Sequence, residues 1–311
     1  MNEFNEKISV VIPVFNASEN LDDLYGRLTT VLTKTAQAHE IILVDDASRD
    51  DSWQEIRSLV ERDTHVKGIQ LSCNFGQHNA LLCGIRAATF PVIVTMDDDL
   101  QNPPEEIPAL LQKLAEGFDV VYGYPKKEQH GFWRDVASQL GKLTLQKAMG
   151  GDVARRISAF RVFRSSLREG FPDYSAAFIS IDVLLSWSTS RFAAVAVNHD
   201  ARRRGKSNYT LGKLFLHTTN MLTGFTTLPL KLASMLGFVL TFFGLLILVY
   251  VVVRYLMQGS VVPGFPFLAS IIAIFSGAQL FALGIIGEYL ARIHFRSMGK
   301  PGYVVRERVG R

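Results

Sequence analysis

Three consecutive aspartates, Asp97, Asp98 and Asp99, follow the apolar run 92–96 and lead into Leu100-Gln101-Asn102-Pro103-Pro104. On an extended chain, side chains two residues apart project to one face. An extended continuation past Met96 would therefore set Asp97 and Asp99 together and turn Asp98 away, leaving Asp98 tolerant of Ala. Two carboxylates in one pocket repel and raise each other's pKa unless a cation neutralises them. Hard oxygen ligands beside a phosphate suit Mg²⁺ or Mn²⁺, and such a metal draws off charge that builds on a diphosphate leaving group. The plainer reading of the same residues is an acidic helix start, because Asp caps helices well and Pro103-Pro104 suit a first helical turn. A second acidic pair, Asp45-Asp46, ends another apolar run at Val44. Two acidic strand ends favour the metal and phosphate chemistry.

Such acids need strands to carry them. Short β-branched runs alternate with amphipathic stretches, predicting strands over 8–13, 40–44, 66–72, 92–96 and 119–122 and helices over 19–35, 52–62, 77–88 and 104–116. Helix 19–35 carries Leu21, Leu24, Leu28, Val31 and Leu32 on one face. Strands apolar on both faces, alternating with helices, imply a mainly parallel α/β sheet covered by helices. Ligands of such sheets bind off the carboxyl ends of the strands, where both acidic clusters fall.

The rest of the chain is organised by charge. With 33 Lys and Arg against 29 Asp and Glu, the net charge is +4, and the basic excess gathers near the C-terminus. No residue between Leu232 and Val253 is charged, nor any between Tyr255 and Gly287, a stretch interrupted by the polar and Gly/Pro-containing segment 258–264. Two transmembrane helices joined by a short loop are expected. Arg292, Arg296, Lys300, Arg306, Arg308 and Arg311 follow the second span, whereas the loop between the spans has no Lys or Arg. Both termini are thus expected on the cytoplasmic side of an inner, cytoplasmic membrane, in a multi-pass protein. The first ten residues offer no apolar signal segment, so the N-terminal domain is expected to stay cytoplasmic. Anionic lipid suits the basic balance better than nucleic acid does, because its densest part adjoins the spans. Cys73 and Cys83 read as small hydrophobes of a reducing compartment. The expected layout is a catalytic domain over 1–208, an interfacial amphipathic segment over 209–230, two spans within 231–291 and a basic tail over 292–311. Gly277, Gly284 and Gly287 would permit close helix packing.

Six stretches taken in order carry a resemblance: Ile12-Pro13-Val14-Phe15-Asn16, Val44-Asp45-Asp46-Ala47-Ser48, Asn74-Phe75-Gly76, the run from Asp97 to Pro108, Arg202 to Tyr209, and Gly287-Glu288-Tyr289-Leu290-Ala291-Arg292. Together they resemble glycosyltransferase family 2, in particular its polyprenyl-phosphate glycosyltransferases. The resemblance implies a GT-A, Rossmann-like nucleotide-sugar domain followed by interfacial helices and two membrane helices. It implies a nucleotide sugar, UDP-linked, as donor, a polyprenyl (undecaprenyl) phosphate as acceptor, Mg²⁺ or Mn²⁺ as cofactor, and a homo-oligomer, a tetramer by analogy. Pro13, Val14, Asn16, Asn74, Asp97 and Asp98 would serve the nucleotide sugar, with Asp46 reading the base and Asp45 beside it. Asp99 and Gln101, with Asp97, would hold the metal, and Arg202 and Ser207 the acceptor phosphate. Arg offers a planar fork of donors matched to phosphate.

Three positions depart from the family pattern: Ala17 where many members have Glu, Ser158 where many have an Asp proposed as base, and Asn208 where a Lys is usual. The loss at Ser158 matters least, because a lipid phosphate is already an anion near neutral pH and can attack an anomeric carbon unaided. Two rival readings are a processive polysaccharide synthase and a non-catalytic nucleotide-sugar sensor or flippase subunit. Neither many spans nor a Gln-x-x-Arg-Trp motif is present for the first. The intact Asp97-x-Asp99 with Gln101 argues against the second.

Overall fold

A computed structural model describes residues 6–126, 153, 156–172, 174, 179–200, 228–258 and 264–310. The chain divides into one unit of Met1–Leu214 with Gly299–Arg311 and a second of Phe215–Met298. The first contains strands β1 (Lys7–Val14), β2 (Ala38–Asp45), β3 (Val66–Leu71), β4 (Val92–Thr95), β5 (Val120–Pro125), β6 (Arg161–Arg164), β7 (Phe192–Val197) and β8 (Val305–Val309). They form one sheet in the order β7-β5-β6-β4-β1-β2-β3-β8. The four strands β4-β1-β2-β3 are parallel, as expected, but the sheet is mixed: β6 runs antiparallel to both β4 and β5, and β8 is antiparallel to β3.

Register places the acids. Val14 pairs with Asp45, and Thr95 with Val11, so β1, β2 and β4 all release their chains at one edge. Along β1, Ile8, Val10, Ile12 and Val14 join one apolar cluster with helices α1 (Ser18–Thr35), α2 (Ser52–Arg62) and α4 (Ile107–Ala115). Leu21, Leu24, Leu28 and Leu32 sit three and four residues apart on α1 and are all at most 1% exposed; each such burial contributes roughly 1.5–3 kcal/mol. The opposite face carries α3 (Gln77–Ala87), with α5 (Ile181–Ser188) packed beside it. The predicted helix over 104–116 starts instead as a single 3-10 turn, Pro104–Glu106, before α4.

Segment 292–311, read as a basic tail, proves to be structured. Its start completes a long helix and its end is β8, the edge strand beyond β3. Gly68 on β3 makes that docking possible, since a Cβ there would stand 2.7 Å from Val309 Cγ2 and 2.6 Å from Ile56 Cγ2.

At the amino ends of the strands a buried carboxylate ties four segments together. Glu40 of β2 accepts hydrogen bonds from Ser9 Oγ, from Thr89 N (2.7 Å) and Thr89 Oγ1 (2.8 Å), and pairs with Lys67 Nζ at 2.8 Å. Burial pushes its carboxyl up, but Lys67, Ser9 and Thr89 together more than offset that and hold it below the usual carboxylate range. A depressed carboxyl stabilises the fold at pH above its unfolded value of about 4.3 and loses that contribution as pH falls through the folded value. The unfolding temperature is therefore expected to drop on acidification below about pH 4.3, and to drop less in Glu40→Gln, as thermal melts across pH would show.

The second unit holds α6 (Leu228–Gln258) and α7 (Phe265–Ser297), which pack against each other. Within them Pro229–Met257 and Ile274–Ala291 are long and apolar enough to cross a membrane. Their surfaces expose Phe238, Leu256, Leu280 and Ile293 at 63–76%, an apolar expanse unsuited to water. The glycine at the contact between these helices is Gly244, whose Cβ would lie 3.0 Å from Phe275. Gly277, Gly284 and Gly287, expected to serve that purpose, have open space where a Cβ would stand. Of the predicted interfacial segment 209–230, only its last three residues, the start of α6, are among the described residues.

Candidate active site

Three strands end in residues that L-amino acids occupy reluctantly. Asn16 after β1, Ala47 after β2 and Leu100 after β4 have φ of 53°, 56° and 59°. For Ala and Leu this left-handed backbone costs roughly 1–2 kcal/mol each, and such strain persists only where surrounding bonds over-determine it. Those bonds are present. Asn16 N donates to Ser48 Oγ (2.9 Å) and Asn16 Oδ1 accepts from Arg49 N (2.8 Å), so the β1 and β2 ends are laced to each other. Asp46 N donates to Val14 O (2.9 Å), and Asp45 accepts from Ser48 N at 3.1 Å and Gln70 Nε2 at 3.3 Å.

Asp45 and Asp46 are buried, at 0% and 3% exposure. Both Asp46 oxygens are used: Oδ1 accepts from Phe75 N (2.7 Å) and Oδ2 from Gly76 N (2.8 Å). Burial pushes the Asp46 carboxyl up, against the pull of those two amides. The residue expected to read a base thus also fastens the 74–76 turn to the end of β2, with Asn74 exposed beside it. Pro13 and Val14 are buried, Val14 entirely, so their side chains do not line an open pocket. Phe15, the next residue, is 44% exposed at that edge.

The aspartate triad departs from the extended geometry assumed for it. β4 stops at Thr95, and the chain turns through Asp98, Asp99 and Leu100. Asp98 is no spare residue: its Oδ2 accepts the Phe15 amide at 3.1 Å, bridging the β4 turn to the end of β1. Burial pushes the Asp98 carboxyl up, the Phe15 amide opposes, and the charges of Asp97 and Asp99 add to the rise, to about 7. Asp97 accepts from Gln77 Nε2 at 2.6 Å, and Asp99 Oδ1 accepts from Gln101 N at 3.1 Å. Asp98→Ala, tolerated in the extended picture, is instead expected to lower stability by about 0.5–1.5 kcal/mol, because the Phe15 amide loses its protein acceptor. Thermal unfolding of the purified variant checks this; an unchanged midpoint would restore the spare-residue view.

The far side of the turn is held by the chain that follows β7. Asp200 N donates to Gln101 O at 2.9 Å, His199 Nδ1 lies 3.3 Å from Asn102 Oδ1, and Asn198 Nδ2 donates to Glu106. Behind the triad lies a buried polar cluster. Arg161 of β6, 1% exposed, donates from Nε to Thr95 Oγ1 (3.1 Å) and from Nη1 to Asp182 of α5, which also accepts from Tyr122 OH at 3.0 Å. Gln77, His199 and Arg161 were missed in the sequence. The available signals were position alone: Gln77 directly follows Asn74-Phe75-Gly76, and His199 comes three residues before Arg202. Arg202 and Ser207 lie outside the described residues.

The site therefore joins Asp97, Asp98, Asp99 and Gln101 to the ends of β1 and β2 along one edge. Asp97, Asp99 and Gln101 carry oxygen donors of the hard type that Mg²⁺ or Mn²⁺ takes, ions that fill their remaining positions with water and substrate phosphate. Among the described residues no group of three or more His, Cys, Asp or Glu is arranged to hold a metal.

Comparison with known proteins places the chain in a family and a fold. Residues 9–171 match the family model described as Glycosyl transferase family 2. The chain is 34% identical over 313 residues to an undecaprenyl-phosphate 4-deoxy-4-formamido-L-arabinose transferase of Yersinia pestis (strain Pestoides F), covering 100% of this chain and 96% of that protein. It shows the same identity and coverage to the transferase of that name from Yersinia pseudotuberculosis serotype O:3 (strain YPIII). Among solved structures it is similar to glucosyl-3-phosphoglycerate synthase from Mycobacterium tuberculosis in complex with Mn²⁺, UDP and glucosyl-3-phosphoglycerate. The TM-score there is 0.54 at 18% identity, over 70% of this chain and 78% of that one.

Proposed function

Because the chain belongs to glycosyl transferase family 2, we propose that it moves one sugar from a nucleotide sugar, UDP-linked, to undecaprenyl phosphate at the cytoplasmic face of the inner membrane. The observation that carries this is the clamped Asp97–Gln101 turn at the carboxyl end of β4, in a chain similar over its whole length to named undecaprenyl-phosphate transferases. Asp99, Gln101 and Asp97 would hold a divalent cation, which when bound takes up part of the diphosphate's charge. The Phe15–Asp98 and Asn16–Ser48 bonds keep the nucleotide edge in one shape, so the donor meets preorganised groups.

The reaction is a single displacement with inversion. A phosphate oxygen of the acceptor forms a bond to the anomeric carbon while the bond from that carbon to the β-phosphate oxygen breaks, and UDP leaves with the electron pair. No proton need move, since the lipid phosphate enters as an anion. Ser158 in place of a carboxylate base is compatible with that. The protein's task is alignment and charge neutralisation. Arg202, two residues past the Asp200 whose amide bonds Gln101, and Ser207 are the residues assigned to the acceptor phosphate.

Topology supports a two-crossing arrangement. The chain leaves the sheet after β7, passes through α6 and α7, and returns as β8 to pair with β3. A chain that departs from one sheet and rejoins it crosses a membrane an even number of times. Two crossings keep both termini on the catalytic side, and the basic residues after α7 favour the cytoplasm. A screen of common nucleotide sugars with undecaprenyl phosphate and Mg²⁺ or Mn²⁺, read by mass spectrometry of the lipid, tests the proposal and identifies the sugar. Binding of both substrates with no lipid-linked product from any donor would overturn it.

A further inference from the structure

We infer that Gln77 is a positioning residue for Asp97, a role that rests on the glycosyl-transfer reading of the same cleft. Gln77 is the first residue of α3, and its Nε2 donates to Asp97 Oδ1 at 2.6 Å across the gap between the ends of β3 and β4. The backbone that carries it is fixed from another strand. Asp46 takes the Phe75 and Gly76 amides at 2.7 and 2.8 Å, and Asn79 Nδ2 donates to Phe75 O at 2.8 Å. Gly76, with φ of +89°, adopts the backbone that lets the chain pass from this turn directly into the helix. The turn thus links the carboxylate at the nucleobase end of the cleft to the carboxylate at its diphosphate end, with Gln77 as the final link. The Gln77 amide holds one oxygen of Asp97, and a carboxylate so held presents its second oxygen in one direction.

The plain alternative is that Gln77 merely begins a helix. The two roles make opposite demands on the side chain. A helix N-terminus favours a negative charge and disfavours a positive one, so a helix-start role ranks Glu above Ala above Lys. Holding Asp97 requires a donor. Lys keeps one and adds attraction, Ala removes it, and Glu sets a like charge against Asp97, so that role ranks Lys above Ala above Glu.

The test uses the full-length protein in detergent, with UDP and Mn²⁺ as the probe in calorimetry and donor KM and kcat from the transfer assay. Loss of one charge-assisted hydrogen bond in Gln77→Ala is expected to weaken UDP about tenfold and raise donor KM by a similar factor, with KM for undecaprenyl phosphate unchanged. Gln77→Lys is expected to recover most of that loss, and Gln77→Glu to be weaker than Gln77→Ala. UDP affinities in the order Glu, Ala, Lys, or equal affinity in all three, overturn the inference even where wild type makes product. A wild type that binds UDP without making product sinks the transfer reading instead, while the affinity order still decides the role of Gln77.

Discussion

Asp99→Asn is expected to lower sugar transfer about a thousandfold while leaving the fold intact. The two halves of this expectation have separate causes. Asp99 Oδ1 accepts a hydrogen bond from Gln101 N at 3.1 Å, and an asparagine oxygen can accept the same bond, so the turn through Leu100 survives. The negative charge does not survive, and a neutral amide is a far poorer ligand for a hard divalent cation than a carboxylate. A cation held less firmly would offset less of the charge that develops on a leaving diphosphate, which raises the barrier by several kcal/mol. Nucleotide affinity should fall less than turnover, because the contacts at the ends of β1 and β2 remain. Product formation by mass spectrometry, UDP calorimetry and a thermal melt on one preparation separate these effects. Activity within threefold of wild type would remove Asp99 from the metal assignment.

Strands β1 to β4 and helices α1 to α3 are legible to within two residues, because most are apolar runs or, in α1 and α2, a clean helical face. β8 was not, and the reason is instructive. Val305-Arg306-Glu307-Arg308-Val309 alternates half-buried and exposed positions, which is the period of a strand with one wet face. Three charges in five residues disguised that alternation as a tail. β6 was lost similarly, since its four residues begin and end in arginine; one of these is fully buried because Asp182, far along the chain, waits for it.

In the site, the kind of residue was legible and its orientation was not. Asp98 was set aside by a rule for extended chains, and the chain is not extended there. Leu100 at φ 59° turns it, and Asp98 bonds the Phe15 amide instead of facing away. Pro13 and Val14 carried the family's motif, yet it is the neighbouring Phe15 that is exposed. Val14 shares the face of Ile8, Val10 and Ile12 that packs into the apolar core cluster, whereas Phe15 lies past the end of β1.

Asp182→Ala is expected to be the most destabilising single change near the site, by about 3–5 kcal/mol. Asp182 is the carboxylate partner of Arg161, whose guanidinium is buried at the level of β4, β5 and β6. Without it a full positive charge stays in the interior, and Tyr122 OH loses its acceptor as well. With Asp182 present, burial and the Asp182 charge hold the Tyr122 phenol well above its ordinary pKa, so this hydroxyl is a donor to Asp182. Removing both charges should cost less than removing one: Asp182→Ala with Arg161→Met leaves a cavity but no unpaired ion, and its melting temperature is expected to exceed that of Asp182→Ala alone. The double variant should still transfer sugar poorly. Arg161 Nε holds Thr95 Oγ1 at 3.1 Å, two residues before Asp97, and without that bond the aspartate turn loses its support from behind. Recovery of stability without recovery of activity would mark the pair as a brace for the triad. Recovery of both would reduce it to packing.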